Sequence, residues 1–269
     1  MLTDFQSPYL TQNYWSEWLL VSFLLLTGVI YWTMSKRLGF QVIYLTLLSL
    51  SFGFIITMYF PYLYTEDELL PLTHPHIQAA VTLFTFFIPL VKRRIEIGLC
   101  LAPPVLISVC YLFLQNTPVF SIVGGIMIGG FISYMYYRSL DWMGAMPEPY
   151  LFSFAIILPL FIAALIFSVS SFLILPGILL GLGTGATIEQ FKVRVLIRKA
   201  NMTAKLLSLL LGSTGLIIGY LLFTFSGFDS AFSYALVGIV TGLWISLLVP
   251  GLMRVTKLYD NQGKHREII

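Results

Sequence analysis

Nine stretches of this chain are apolar over enough residues to cross a lipid bilayer, and short polar or charged segments separate them. They run over residues 18–34, 38–60, 76–91, 95–114, 118–137, 150–168, 172–188, 206–225 and 231–253. A bilayer core takes about 20 apolar residues per helix. Backbone polar groups find no water there, so a spanning segment must satisfy them internally, as a helix does. The pattern predicts an all-α, polytopic helical membrane protein with about nine transmembrane helices. Residues 1–17 carry Asp4 and Glu17 but no cation, the reverse of a signal-peptide start. With Tyr9, Tyr14 and Trp15 just ahead of Trp18, this segment reads as an outer interfacial anchor.

Charge sets an orientation. If residue 1 lies outside and each span crosses once, all 15 Lys and Arg residues fall inside. They are Lys36, Arg37, Lys92, Arg93, Arg94, Arg138, Lys192, Arg194, Arg198, Lys199, Lys205, Arg254, Lys257, Lys264 and Arg266. The other face keeps Asp4, Glu17, Glu66, Asp67, Glu68 and Asp229. Cations favour the cytoplasmic side of a membrane protein. The expectation is therefore nine spans in the cell membrane, with the N-terminus outside and the C-terminus cytoplasmic.

Composition excludes other classes. Of the 269 residues, 58% are apolar and only 10% are charged, against roughly 25% charged in a soluble domain. Mean hydropathy is +0.90. Disorder needs the opposite balance. The net charge of +3 is small, and no basic face is interleaved with exposed aromatics, so nucleic acid is not a partner. Cys100 and Cys110 would sit about 15 Å apart on one helix, beyond disulfide reach. No ionisable residue falls mid-span, which argues against a pump, a proton-coupled transporter or an ion channel. Glu96 is expected to pair with Arg93 three residues back, and Glu189 stands similarly at an inner boundary.

Small residues recur every four positions in three ridges: Ser121, Gly125 and Gly129; Gly177, Gly181 and Gly185; and Gly238, Gly242 and Ser246. Such ridges let helix backbones approach closely. Packing within the chain is the preferred reading, and a homo-oligomer seam is the alternative. Pro103-Pro104 should kink the fourth span. The inner basic segment, with Lys192, Arg194, Arg198 and Lys199, could contact anionic headgroups at about 1 kcal/mol per cation; the preferred reading is an ordinary positive-inside loop. Asn201-Met202-Thr203 fits a glycosylation sequon but faces the cytoplasm in this orientation.

Two outer loops carry the candidate chemistry. One runs from Pro61 to His76 and the other over Gln115-Asn116-Thr117-Pro118. This layout resembles the type-2 phosphatidic acid phosphatase family of membrane lipid phosphatases, which places three motifs at these points. Leu38-Gly39-Phe40 opens the second span as in many members. Pro61 matches the proline of the first motif. His76-Ile77-Gln78-Ala79-Ala80 is similar to the run after the second motif, and Gly124-Gly125 with Gly129-Gly130 to the helix after the third. Gly181 to Lys199, Gly242-Leu243-Trp244 and Pro250 resemble the C-terminal part of larger bacterial members. The resemblance implies a bundle over 18–168, a three-helix extension over 169–253 with a basic loop at 189–205, and a basic tail at 254–269.

The family's catalytic positions are replaced. Its first-motif lysine and arginine fall on Gly53 and Phe60. The serine and glycine of the second motif fall on His74 and Pro75, and His76 is the retained histidine. The serine and arginine of the third motif fall on Val109 and Cys110, its nucleophilic histidine on Asn116 and its aspartate on Phe120. Phosphoryl transfer rests on positioning and on positive charge around the phosphoryl oxygens. This outer face supplies no cation and carries Glu66-Asp67-Glu68 instead. Asn116 cannot form a phosphohistidine.

The preferred expectation is a non-catalytic relative. It would bind a lipid or polyprenyl carrier, move one across the bilayer, or regulate a membrane protein partner. His74, His76, Gln78 and Asn116 are the candidate binding residues. The rivals are an enzyme with shifted chemistry on His74, His76 and Glu66, and an assembly protein working through its glycine ridges. His74 and His76 with the acidic cluster could suit zinc or manganese, but a proline separates the two histidines and no further outer histidine exists. Neither a metal nor a cofactor is expected, and His76 should cap the third span or bond Asn116.

Overall fold

Helices begin where the polar punctuation ends. The computed structural model describes residues 14–60, 62–64, 69–143, 148–196, 201–226 and 230–261. Helix α1 spans Tyr14–Thr33 and α2 spans Lys36–Tyr59. Ser35 between them caps α2, its hydroxyl accepting from Leu38 N at 3.4 Å. A short antiparallel ladder, β1 (Tyr62–Tyr64) with β2 (Leu69–Pro71), leads into α3 (Pro75–Thr85). Pro75 opens α3, where its missing N–H costs nothing. A 3₁₀ turn at Ile88–Leu90 precedes α4 (Arg94–Leu114), α5 (Val119–Met143) and α6 (Glu148–Ile166).

The last part follows a 3₁₀ turn at Ser170–Leu173. Helix α7 (Ile174–Ile188) runs into a π turn at Glu189–Val193 and strand β3 (Val195–Leu196). Then come α8 (Met202–Ser226) and α9 (Ala231–Leu243), a π segment at Trp244–Leu248, α10 (Val249–Val255) and strand β4 (Asp260–Asn261). Apart from the two short ladders the described chain is helical. Among the described residues six helical stretches are long and apolar enough to cross a membrane: Lys36–Tyr59, Arg94–Leu114, Val119–Arg138, Ser170–Val193, Met202–Phe225 and Ala231–Val255. Three shorter apolar ones are Leu19–Thr33, Pro75–Leu90 and Ala155–Ile166. Together they fall where the nine apolar stretches of the sequence lie.

The core sits where α1, α2, α3, α6 and α7 meet. Trp32, Ile43, Leu50, Leu83, Phe86, Ile162, Ile166, Ile178 and Leu182 are fully buried there. Helices α4 and α8 are peripheral. Ile95, Leu99, Leu106 and Phe113 of α4, and Leu210, Leu222 and Phe225 of α8, are exposed, as lipid-facing side chains of a spanning helix would be. Pro103 and Pro104 do not interrupt α4, which is helical from Arg94 to Leu114. At Glu96 the structure corrects an expectation. Its carboxylate accepts from the backbone N–H groups of Lys92 (3.2 Å) and Arg93 (3.3 Å), capping the helix instead of pairing with the Arg93 side chain.

The small-residue ridges are used inside the chain. Gly177, Gly181 and Gly185 of α7 face Gly238, Gly242 and Ser246 of the continuous rod formed by α9, the π segment and α10, here the α9 rod. A Cβ at Gly181 would overlap the Ile239 carbonyl, and one at Gly242 would overlap the Ile178 carbonyl. Gly125 and Gly129 of α5 lie against the first turns of α3 in the same way. The π segment makes use of the same seam. A π turn shifts the hydrogen-bond register and leaves carbonyls available. Ile245 O accepts from Trp32 Nε1 and Ser246 O from the Tyr31 hydroxyl, both at 3.1 Å, which fastens α1 to the α9 rod.

Gly181→Leu should therefore force α7 off α9 and cost about 3 kcal/mol of stability, the upper part of the overpacking range. Gly98→Leu, where nothing lies within 4 Å, should leave the melting temperature in detergent nearly unchanged. Equal effects of the two substitutions would show that the seam is not what holds these helices.

Candidate functional site

One end of the bundle gathers His74, His76 and Tyr111. The β2 strand and Leu72 lay the chain on the small face of α5, where the Ser121 hydroxyl donates to Pro71 O and His74 N donates to Ser121 O at 3.2 Å. Gly124 leaves room for the Leu72 carbonyl. His74 is thereby held as the residue preceding α3, and it is His74, not His76, that occupies the N-cap, without a capping bond from its side chain. Tyr111 comes from the inward stripe of α4, with Pro104 and Ser108. The His74 and Tyr111 rings are 4.2 Å apart, the two imidazoles 5.6 Å, and Phe54 meets His76 edge-on at 5.9 Å with Phe172 behind it.

Burial decides the charge of this cluster. Nδ1 of His74 is buried and has no hydrogen-bond partner. Desolvation, and secondarily the neighbouring His76, push the His74 imidazole down to about 3. It is neutral at physiological pH and offers a ring nitrogen, not a positive charge.

Gln78 serves a different purpose. It is fully buried between α2 and α3. Its amide donates to Ser49 O at 2.8 Å and its carbonyl accepts from the Thr73 hydroxyl at 2.9 Å. Ser49 Oγ and Thr82 Oγ1 lie 2.8 Å apart, and Thr82 Oγ1 is within 2.9 Å of Gln78 O and 3.1 Å of Gly129 O. A buried amide without partners is costly, and here each of its atoms is satisfied. Gln78 is thus structural, a tie between α2, α3 and α5, and cannot reach a ligand. Asn116 is also outside the cluster. It is exposed on the turn between α4 and α5 at φ 49°, a conformation Asn tolerates better than most residues, and among the described residues no hydrogen bond joins it to His76.

The positions aligned with the phosphatase motifs converge only in part. Gly53 lies against Pro75 and Gln78, so a side chain there would meet Pro75 Cα at 2.9 Å. Phe60, Val109, Cys110 and Phe120 are exposed. Glu66, Asp67 and Glu68 lie outside the described residues. Among the described residues no three His, Cys, Asp or Glu side chains gather as metal ligands.

The opposite end of the bundle collects the cations. Lys36 Nζ donates to both carboxylate oxygens of Glu189 at 2.7 and 2.8 Å, and Glu189 also accepts from Val195 N at 2.9 Å. Arg254 Nη1 donates to Lys192 O at 2.6 Å. Strand β3 pairs with β4, and the Tyr259 hydroxyl donates at this end to Trp32 O or Ser208 Oγ, 2.9 and 2.6 Å away. The stretch read as a plain basic loop is therefore partly built structure. Lys192 and Arg194 are exposed on it; Arg198 and Lys199 lie outside the described residues. The sequence alone missed Tyr111, Thr73, Ser49 and Thr82. Thr82, one turn after Gln78 on a buried helix, carried the only signal.

Compared with protein-family models, with curated proteins and with solved structures, the chain matches none of them.

His74 ties stability to pH. Its folded value lies below the ordinary 6.5, so the unfolded chain takes up the proton first and stability falls as pH drops from about 6.5 towards 3. His74→Phe should flatten that part of a melting-temperature profile, and an unchanged slope would refute the assignment. Separately, Lys36→Met leaves Glu189 buried without its cation and should cost about 3–5 kcal/mol, read as a lowered melting temperature that Lys36→Arg largely restores.

Proposed function

We propose that this protein is a nine-span cell-membrane protein, N-terminus outside and C-terminus cytoplasmic, which resembles lipid phosphatases but binds a lipid or polyprenyl carrier without hydrolysing it. The observation that carries this reading is the His74–His76–Tyr111 cluster. It is a buried, aromatic-walled group in which His74 is neutral and keeps an unsatisfied ring nitrogen, and among the described residues every Lys and Arg lies at the other end of the bundle. An orphaned buried polar atom calls for a partner, and a hydroxyl or a single headgroup oxygen suits a neutral imidazole. Hydrolysis would need cations around the phosphoryl oxygens, and nothing at this end supplies them.

The placement of the cations supports the orientation. Contacts tie the Lys36–Glu189 pair, Lys192 and Arg254 to one end, in keeping with a cytoplasmic face. The ridge contacts within the chain weaken the homo-oligomer reading, because α7 and α9 already cover each other's glycines.

Purified protein should release no phosphate from phosphatidate or polyprenyl diphosphate, with or without divalent metals. Native mass spectrometry should show co-purified lipid that His74→Phe or His76→Ala reduces. Turnover abolished by His76→Ala, or a lipid-free wild type, would overturn the reading.

A further inference from the structure

We propose that the cation-bearing ends of α2, α3, α4 and α5 form a second site, which takes a lipid headgroup carrying two phosphates. This deepens the lipid-carrier reading and depends on it only for the leaflet that the site faces.

Three separate segments meet there. Arg37, in the first turn of α2, lies within electrostatic reach of the Tyr136 hydroxyl on α5. Tyr136 and Tyr137 pack edge-on at 6.2 Å, and Phe86 at the end of α3 lies 5.9 and 5.7 Å from their rings. The Tyr137 hydroxyl donates to Phe86 O, which pins α5 to α3. Arg138 follows Tyr137 directly. From Phe86 the chain passes through the single 3₁₀ turn at Ile88–Leu90 to Lys92, Arg93 and Arg94. The outcome is an aromatic floor with cations delivered to its rim from three directions.

Among the described residues these cations form no ion pair. Arg37, Lys92, Arg93, Arg94 and Arg138 are all exposed, and among the described residues the one ion pair is Lys36–Glu189, elsewhere on this face. The carboxylate of Glu96 is occupied by backbone N–H groups. Like charges held together raise the energy of the folded state until a counter-charge arrives. Guanidinium groups match phosphate oxygens in bidentate geometry. A headgroup with one phosphate is matched by one or two cations; two linked phosphates call for more, which Arg37, Arg138 and the Lys92–Arg94 run together supply. The acyl chains then have an apolar track, since Ile95 and Leu99 lie exposed on α4 just beyond Arg94.

The test uses the full-length protein in phosphatidylcholine nanodiscs containing cardiolipin, or phosphatidylglycerol at matched negative charge. Native mass spectrometry and titration should show that the wild type retains cardiolipin in preference to phosphatidylglycerol. Arg37→Gln with Arg138→Gln should weaken that retention about thirty-fold, from two lost cation contacts. Lys92→Gln with Arg94→Gln, on a different segment, should do the same and serves if the first pair does not fold. Lys205→Gln with Lys257→Gln removes equal charge from the same face and should change little. An equal loss in that control, or no preference for cardiolipin, would overturn the site in favour of diffuse surface charge. Competition by inorganic diphosphate as effective as by the lipid would overturn the lipid as its source. Nanodiscs expose both faces, so binding is read independently of sidedness; labelling of a cysteine at Lys92→Cys from the outside would overturn the orientation and leave the site standing.

Discussion

The rest of this structure depends on how closely helix backbones approach where no side chain stands between them. In lipid, apolar helices gain little by hiding from solvent, and close packing of small residues takes over that work. Helices α7 and α9 meet through interlocking glycines, with each Cα surface against the other's carbonyls. That contact sets the position of α7 and hence of Glu189 at its end. Across the bundle, Gly125 and Gly129 let α5 lie on α3, which brings the Thr82 hydroxyl within bonding distance of Gly129 O.

The two ends of the bundle treat polarity in opposite ways. At one end the buried groups are neutral: Gln78, Ser49, Thr73 and Thr82 satisfy one another, and His74 is held uncharged by burial. At the other end a carboxylate is buried and is tolerable because Lys36 and Val195 N meet it. A protein arranged in this way can present a neutral, hydroxyl-accepting group on one face and cations on the other.

The candidate site was only partly legible beforehand. His74 and His76 stand out in any reading, as two of the three histidines, close together just ahead of an apolar helix. Gln78 and Asn116 looked equivalent to them, yet one is a buried tie and the other a turn residue at positive φ. Which way a polar residue at a helix start points is set by the neighbouring helices, and no local pattern encodes it. Tyr111 lies in an otherwise apolar run, where nothing nearby in sequence distinguishes it from a lipid-facing aromatic. Phe113, two residues on, is one of those.

Sequence alone determined the class of protein, the places of the nine apolar helical stretches and the segregation of charge, because each of these is a local property of composition and length. The bilayer demands apolar runs, and the cost of burying charge confines Lys and Arg to their ends. Tertiary structure decided the partners: α7 with α9, α3 with α5, Lys36 with Glu189, His74 with Tyr111, and Phe86 with Tyr136 and Tyr137. Each of these joins residues far apart in the chain, and what selects them is the fit of backbone against backbone once several helices are packed together.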